Sequence, residues 1–202
     1  MNKAKIKTIL YDIFIKYQGL FVLLVILDQV SKLIVMNNME VNESIKIFSW
    51  LYIKFVYNTG VAFSFLKDAP QWISALFSII ATIAIEAYII IKKPKDKIMT
   101  ILLLCLSAGA LGNGIDRWLA VFNLRGGVVD FIWPTFFANF NVADIYVTCS
   151  CFAMIIYFLL AKDENKNKKI VKAKLPSEQK QELQFKEEKN ELNFKEENNE
   201  SN

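Results

Sequence analysis

The chain has 202 residues, of which 54% are hydrophobic and 22% charged, with a net charge of +4 and a mean hydropathy of +0.30. Few soluble domains are so apolar throughout. There is no histidine, which excludes Ser–His–Asp and Cys–His mechanisms and histidine-ligated zinc. The three cysteines, Cys105, Cys149 and Cys151, lie in apolar runs without metal-ligand spacing and read as packing residues. No metal and no cofactor is expected.

Crossing a hydrocarbon core takes about 20 helical residues, and four stretches qualify: 17–36, 72–91, 98–118 and 142–161. The first is preceded by lysines, like a secretion signal. It contains Asp28, Gln29, Ser31 and Lys32, however, and no small-residue cleavage site follows it, so it reads as a retained span. Lysines gather at 3, 5, 7 and 16, at 92, 93, 95 and 97, and again from 162 onward. Loops 37–71 and 119–141 are poorer in uncompensated positive charge. This asymmetry predicts cytoplasmic termini and two outer loops.

Within the first outer loop, residues 45–57 are β-branched and aromatic and predict short strands at the membrane surface. The second outer loop carries Gly126–Gly127, VVDFIW and Pro134, which predict a turn, a short extended piece and an irregular return. The expected fold is therefore an all-α polytopic membrane protein of four transmembrane helices, residues 1–161. Residues 162–202 form a charged, low-complexity cytoplasmic tail with a near-repeat, ELQFKEEKN and ELNFKEENN. That tail has too little apolar surface to offset its ordering entropy.

Charged groups within spans are costly and need a reason. Asp28 and Lys32 are four residues apart and share a helical face; Asn113, Asp116 and Arg117 do the same on the third span. Asn58, Asp130, Asn141 and Asp144 fall at the same outer level by topology. Two neighbouring carboxylates disfavour joint ionisation, so one can stay protonated while the other acts as base towards water. Spacing alone does not choose the working pair among Asp28, Asp116, Asp130 and Asp144. Asp28–Lys32 also fits a simple ion pair holding the bundle. The small residues of SAGALGNG, 107–114, fit close helix packing. A different class of function, a small transporter or ion carrier with a polar pathway through Asp28, Lys32, Asp116 and Arg117, predicts ionisable groups spread through the membrane depth or an internal repeat.

The blocks DQVSK (28–32), NTGVAFSFL (58–66), GALGNGIDR (109–117), VVDFI (128–132) and FNVAD (140–144) resemble, in order and topological place, those of lipoprotein signal peptidase, the type II signal peptidase family. The likeness covers residues 17–161. Gly114, where the family usually has a bulky apolar residue, and the long tail depart from it. The resemblance implies an intramembrane aspartyl endopeptidase of the bacterial cell membrane, acting on lipid-modified prolipoprotein signal peptides near the outer face. It implies a dyad at Asp130 and Asp144, with Asp28, Lys32, Asn58, Asn113, Asp116, Arg117 and Asn141 binding substrate or bracing the dyad. It also implies a small β-cradle formed by the outer loops. Membrane lipids are the other expected partners. No nucleic acid is expected, and the chain is expected to be a monomer.

Overall fold

The structure, a computed structural model, describes residues 3–60, 71–92, 94 and 96–174. Residues 61–66 of the NTGVAFSFL block and residues 175–202 of the expected tail lie outside the described residues. Two compact units are distinguished, Ile13–Met154 and a second made of Met1–Asp12 with Ile155–Asn202. The first holds every side chain discussed below.

The element order is α1 (Lys3–Asn38), β1 (Ser44–Lys46), β2 (Leu51–Asn58), α2 (Gln71–Lys92), α3 (Lys97–Val121), β3 (Val128–Pro134) and α4 (Val142–Lys174). The membrane-length apolar segments are Tyr17–Asn38, Trp72–Lys92, Lys97–Val121 and Val142–Leu160. They fall within a few residues of the predicted spans. At about 1.5 Å per residue each is long enough to cross a bilayer. Helix α4 continues past its apolar segment to Lys174, so the start of the expected tail is helical.

Burial is inverted relative to a water-soluble protein. On α1, Asp28 and Lys32 are 0% exposed, while Leu23 and Ile34 are 51% and 58% exposed. Asp28, Lys32 and Val35 share one face by i+4 and i+7 spacing, and that face turns inward. Apolar side chains lose nothing by facing lipid, whereas a charge facing lipid is unsatisfied. Small residues let the polar face close. A Cβ at Gly112 would meet Asp28 Oδ2 at 2.5 Å, and one at Gly109 would meet the Ala143 carbonyl at 2.6 Å. These contacts give the stretch 107–114 its packing role.

The outer loops form one three-stranded antiparallel sheet in the order β1-β2-β3. The predicted strand-rich stretch is split at 47–50, because the Ile47 and Phe48 N–H groups turn back onto the Leu51 carbonyl, both at 3.0 Å. The β2–β3 register also slips. Ile53 pairs with Ile132, yet Val56 pairs with Asp130 and Asn58 with Val128. One extra residue of β2 is accommodated between those pairs, a β-bulge. Val35, Phe55, Val129 and Phe131 form the apolar cluster joining the sheet to α1. Phe140 exchanges hydrogen bonds with Ile132 at 2.9 and 3.0 Å and delivers Asn141 to the start of α4.

Candidate active site

Four aspartates reach the same region, held by two different sets of donors. Lys32 organises the first set. Its Nζ lies 2.8 Å from Asp28 Oδ2, 2.9 Å from Asp116 Oδ2 and 3.0 Å from Asn113 Oδ1, so its three protons have three acceptors. Asp28 Oδ1 accepts from the Ala143 N–H at 2.9 Å, tying α1 to α4. Asp116 also pairs with Arg125 and accepts the Val129 N–H at 3.2 Å, tying α3 to β3. Gln29 Nε2 adds bonds to Asp28 Oδ2 at 3.1 Å and to the Gly112 carbonyl at 2.9 Å. Two carboxylates therefore meet two cations in a fully buried centre.

Asn141 organises the second set. It precedes α4 as its N-cap: Oδ1 accepts the Asp144 N–H at 3.0 Å, while Asp144 Oδ2 accepts the Asn141 N–H at 3.1 Å. This reciprocal pair is a capping box, and it locks the Asp144 side chain against the first helical turn. The Asn141 amide group then donates to Asp130 Oδ1 at 2.7 Å and to Asn113 Oδ1 at 3.0 Å. Because an ammonium can only donate, Lys32 fixes which end of Asn113 faces it, and Asn113 Nδ2 is left to donate to Asp144 Oδ1 at 2.8 Å. Asp130 Oδ2 accepts from Asn58 Nδ2 at 3.0 Å. The bulge permits that last contact, since it places Val56 and Asn58 on the face of the sheet that carries Asp130.

Asp130 and Asp144 thus receive one neutral amide or backbone donor on each oxygen. Among the described residues no cation is paired with either. Burial and the neighbouring Asp144 charge push the Asp130 carboxyl up to about 7, against the opposing pull of the Asn58 and Asn141 bonds. At neutral pH the pair holds a proton readily. Asp130 is buried and Asp144 half-exposed, so substrate and water have readier access to Asp144. Among the described residues no group of three or more Asp, Glu or Cys side chains is arranged to hold a metal ion.

Eight of the nine residues singled out from sequence, Asp28, Lys32, Asn58, Asn113, Asp116, Asp130, Asn141 and Asp144, join one bonded network. Arg117 does not bond into it. It shares neither the buried face of Asn113 and Asp116 nor an ion pair with Asp116; its NH1 donates to Ser78 Oγ on α2 at 3.1 Å. It still lies within electrostatic range of Asp144, Asp116 and Asp130. At i+4 from Asn113 and i+1 from Asp116, the helical twist carries it towards α2. Sequence reasoning missed the structural parts of Gln29, Ser78 and Arg125. Arg125 had a signal of its own, being one of only two arginines in a chain with 24 basic residues.

The chain is similar to known proteins over most of its length. The family model described as Signal peptidase (SPase) II matches residues 20–160. A lipoprotein signal peptidase of Tolumonas auensis is 34% identical over 160 residues, covering 75% of this chain and 94% of that protein. One of Francisella tularensis subsp. novicida is 33% identical over 163 residues, covering 75% and 96%. A bacterial membrane enzyme solved by the in meso method at 2.3 Å resolution superposes with a TM-score of 0.65 at 32% identity, covering 74% of this chain and 90% of that one. With its four membrane-length helices, its small outer sheet and its buried cluster of aspartates and asparagines, the chain belongs to the signal peptidase II family of membrane peptidases.

Proposed function

We propose that this peptidase removes signal peptides from bacterial prolipoproteins, cutting on the amino side of a diacylglyceryl-modified cysteine, with Asp130 and Asp144 as its working pair. The observation that carries the assignment of residues is the difference in charge compensation. Asp28 and Asp116 are ion-paired with Lys32 and Arg125, so their oxygens are already occupied by cations. Asp130 and Asp144 meet only neutral donors, and each keeps lone pairs for water, substrate and a proton.

In this reading the buried Asp130 holds the shared proton and the more accessible Asp144 is ionised. A water between them gives a proton to Asp144 as its oxygen attacks the scissile carbonyl carbon. Asp130 hydrogen-bonds the carbonyl oxygen as charge develops there. When the tetrahedral intermediate collapses, the C–N bond breaks and the leaving amine takes a proton from the pair. Asn58, Asn113 and Asn141 hold the two carboxylates at fixed separation, and Lys32 with its partners holds the asparagines. The lysine distribution supports cytoplasmic termini and a reaction near the outer face. The domain reading that goes with this is a peptidase body of residues 1–161 and a tail that takes no part in chemistry.

The deciding experiment is a gel-shift assay of purified protein on a diacylglyceryl-modified precursor and on its unmodified form. Cleavage of the modified precursor alone supports the reading, and failure to cleave either by well-folded protein overturns it. EDTA should leave the rate unchanged; a loss restored by Zn²⁺ or Mg²⁺ would replace the carboxylate pair with a metal mechanism.

A further inference from the structure

Arg125 lies in the turn between α3 and β3, with its side chain 6% exposed. Its NH1 reaches Asp116 and, at 3.4 Å, Gln29 Oε1. Asp116 in turn holds the Val129 N–H, one residue before Asp130. Arg125 therefore connects the turn, α3 and α1 at the point where β3 begins.

Among the described residues, Lys32 from α1 and Arg117 from α3 act on the Asp130/Asp144 pair, with Asp28 and Asp116 bonded to Lys32 and Arg125 behind Asp116 from the turn. Without Arg125, Lys32 alone faces both Asp28 and Asp116, and the buried centre carries one uncompensated negative charge. With Arg125 the centre is neutral. The choice of residue agrees. The chain uses lysine for nearly all its 24 basic positions and keeps arginine at just two, 117 and 125. Arginine stays charged when buried, and here one nitrogen, NH1, reaches both the Asp116 carboxylate and the Gln29 amide oxygen.

We infer that Arg125 is a positioning residue for the reaction: acting through Asp116, it anchors the start of the strand carrying Asp130 and keeps the polar centre behind the working pair electrically neutral. It touches neither substrate nor reacting atoms. The inference rests on the proposed role of Asp130 and Asp144.

The test is the pH dependence of turnover on a diacylglyceryl-modified precursor, measured for wild type, Arg125→Gln, Arg125→Lys and the double variant Arg125→Gln/Asp116→Asn. Asp130→Asn is run alongside. Arg125→Gln should move the alkaline limb to higher pH by about one unit, because an added negative charge nearby makes the pair hold its proton more tightly. The double variant, again neutral at the centre, should bring the limb back. Arg125→Lys, which keeps the positive charge, should keep the limb in place. A purely structural arginine would lower turnover equally at every pH and leave the limb fixed in all variants, which overturns the inference. If Arg125→Gln does not fold, Asp116→Asn decides: with the centre left one charge positive the limb should move to lower pH, and an unmoved limb overturns the inference. Full activity in Asp130→Asn instead overturns the assignment of the pair, separately from anything seen at Arg125.

Discussion

The Lys32-centred and Asn141-centred clusters use the same residue types and share Asn113, yet they differ in what they can do. Around Lys32 every carboxylate is matched by a cation and by backbone or amide donors, so the cluster behaves as a cross-link joining α1, α3, α4 and β3. Around Asn141 the carboxylates are aimed as firmly but left without a cation bonded to them. Rigid geometry with an unneutralised charge favours proton exchange; rigid geometry with a neutralised one favours stability. Asp130 is as buried as Asp28 and Asp116, so burial alone does not separate the two kinds. The identity of the donors does.

The largest expected effect breaks the comparison on its chemical side. Asp130→Asn or Asp144→Asn should lower turnover by at least about 10³-fold with expression and substrate retention nearly intact, since neither half works alone. If Asp116→Asn abolishes turnover in folded protein while Asp130→Asn stays active, the two clusters exchange roles. Asp130→Asn has a second signature. A carboxyl whose folded value lies at about 7, against an ordinary 3.8, loses stability as pH rises through that window. The variant, which cannot ionise there, should therefore gain Tm over wild type at pH 8 and lose that gain near pH 4. A gain independent of pH would sink the assignment of the proton.

On the scaffold side, Asp28→Asn takes from Lys32 one of its two balancing charges. Stability should fall by about 1–3 kcal/mol, measured as a lower Tm in detergent, and the centre's added positive charge should move the alkaline limb to lower pH. Turnover abolished at unchanged Tm would instead draw Asp28 into the chemistry. Smaller again is the effect of pH on the wild type. Turnover should fall about tenfold per unit above pH 7 as the pair loses its shared proton; a flat profile from pH 6 to 9 contradicts a single-proton pair. Deleting residues 175–202 should change turnover less than a few-fold.

Much of this was legible in the sequence. Hydropathy gave the four spans to within a few residues, and helical spacing gave the Asp28–Lys32 pair, because both depend on local periodicity. The strand content of 45–57 was legible too, since composition reports it. What was not legible depends on long-range geometry. The slip between Ile53 and Val56 leaves no mark in composition, and neither does the split at 47–50. Helical spacing grouped Arg117 with Asn113 and Asp116, but i+4 permits a shared face without requiring it, and Ser78 on α2 drew the guanidinium away. The choice of working pair stayed open on spacing alone because it turns on which aspartates Lys32 and Arg125 reach. One of those cations lies 84 residues from Asp116 and the other nine.

The slip in β2 has an evolutionary consequence. A strand side chain has only two phases, and the bulge joins two segments of opposite phase in one strand. Continued unbroken from Ile53↔Ile132, the register would set Phe55 opposite Asp130 and Tyr57 opposite Val128, so the carboxyl would be bordered by rings where an amide now donates. Losing a single residue near 54 would only remove the extra residue and leave Val56 opposite Asp130, whereas losing one between Val56 and Asn58 would reverse the phase of Asn58 and deprive Asp130 of its partner. In this part of the chain a one-residue deletion is a larger chemical event than many substitutions. Length between Val56 and Asn58 is thus under the same constraint as the identity of Asn58 itself.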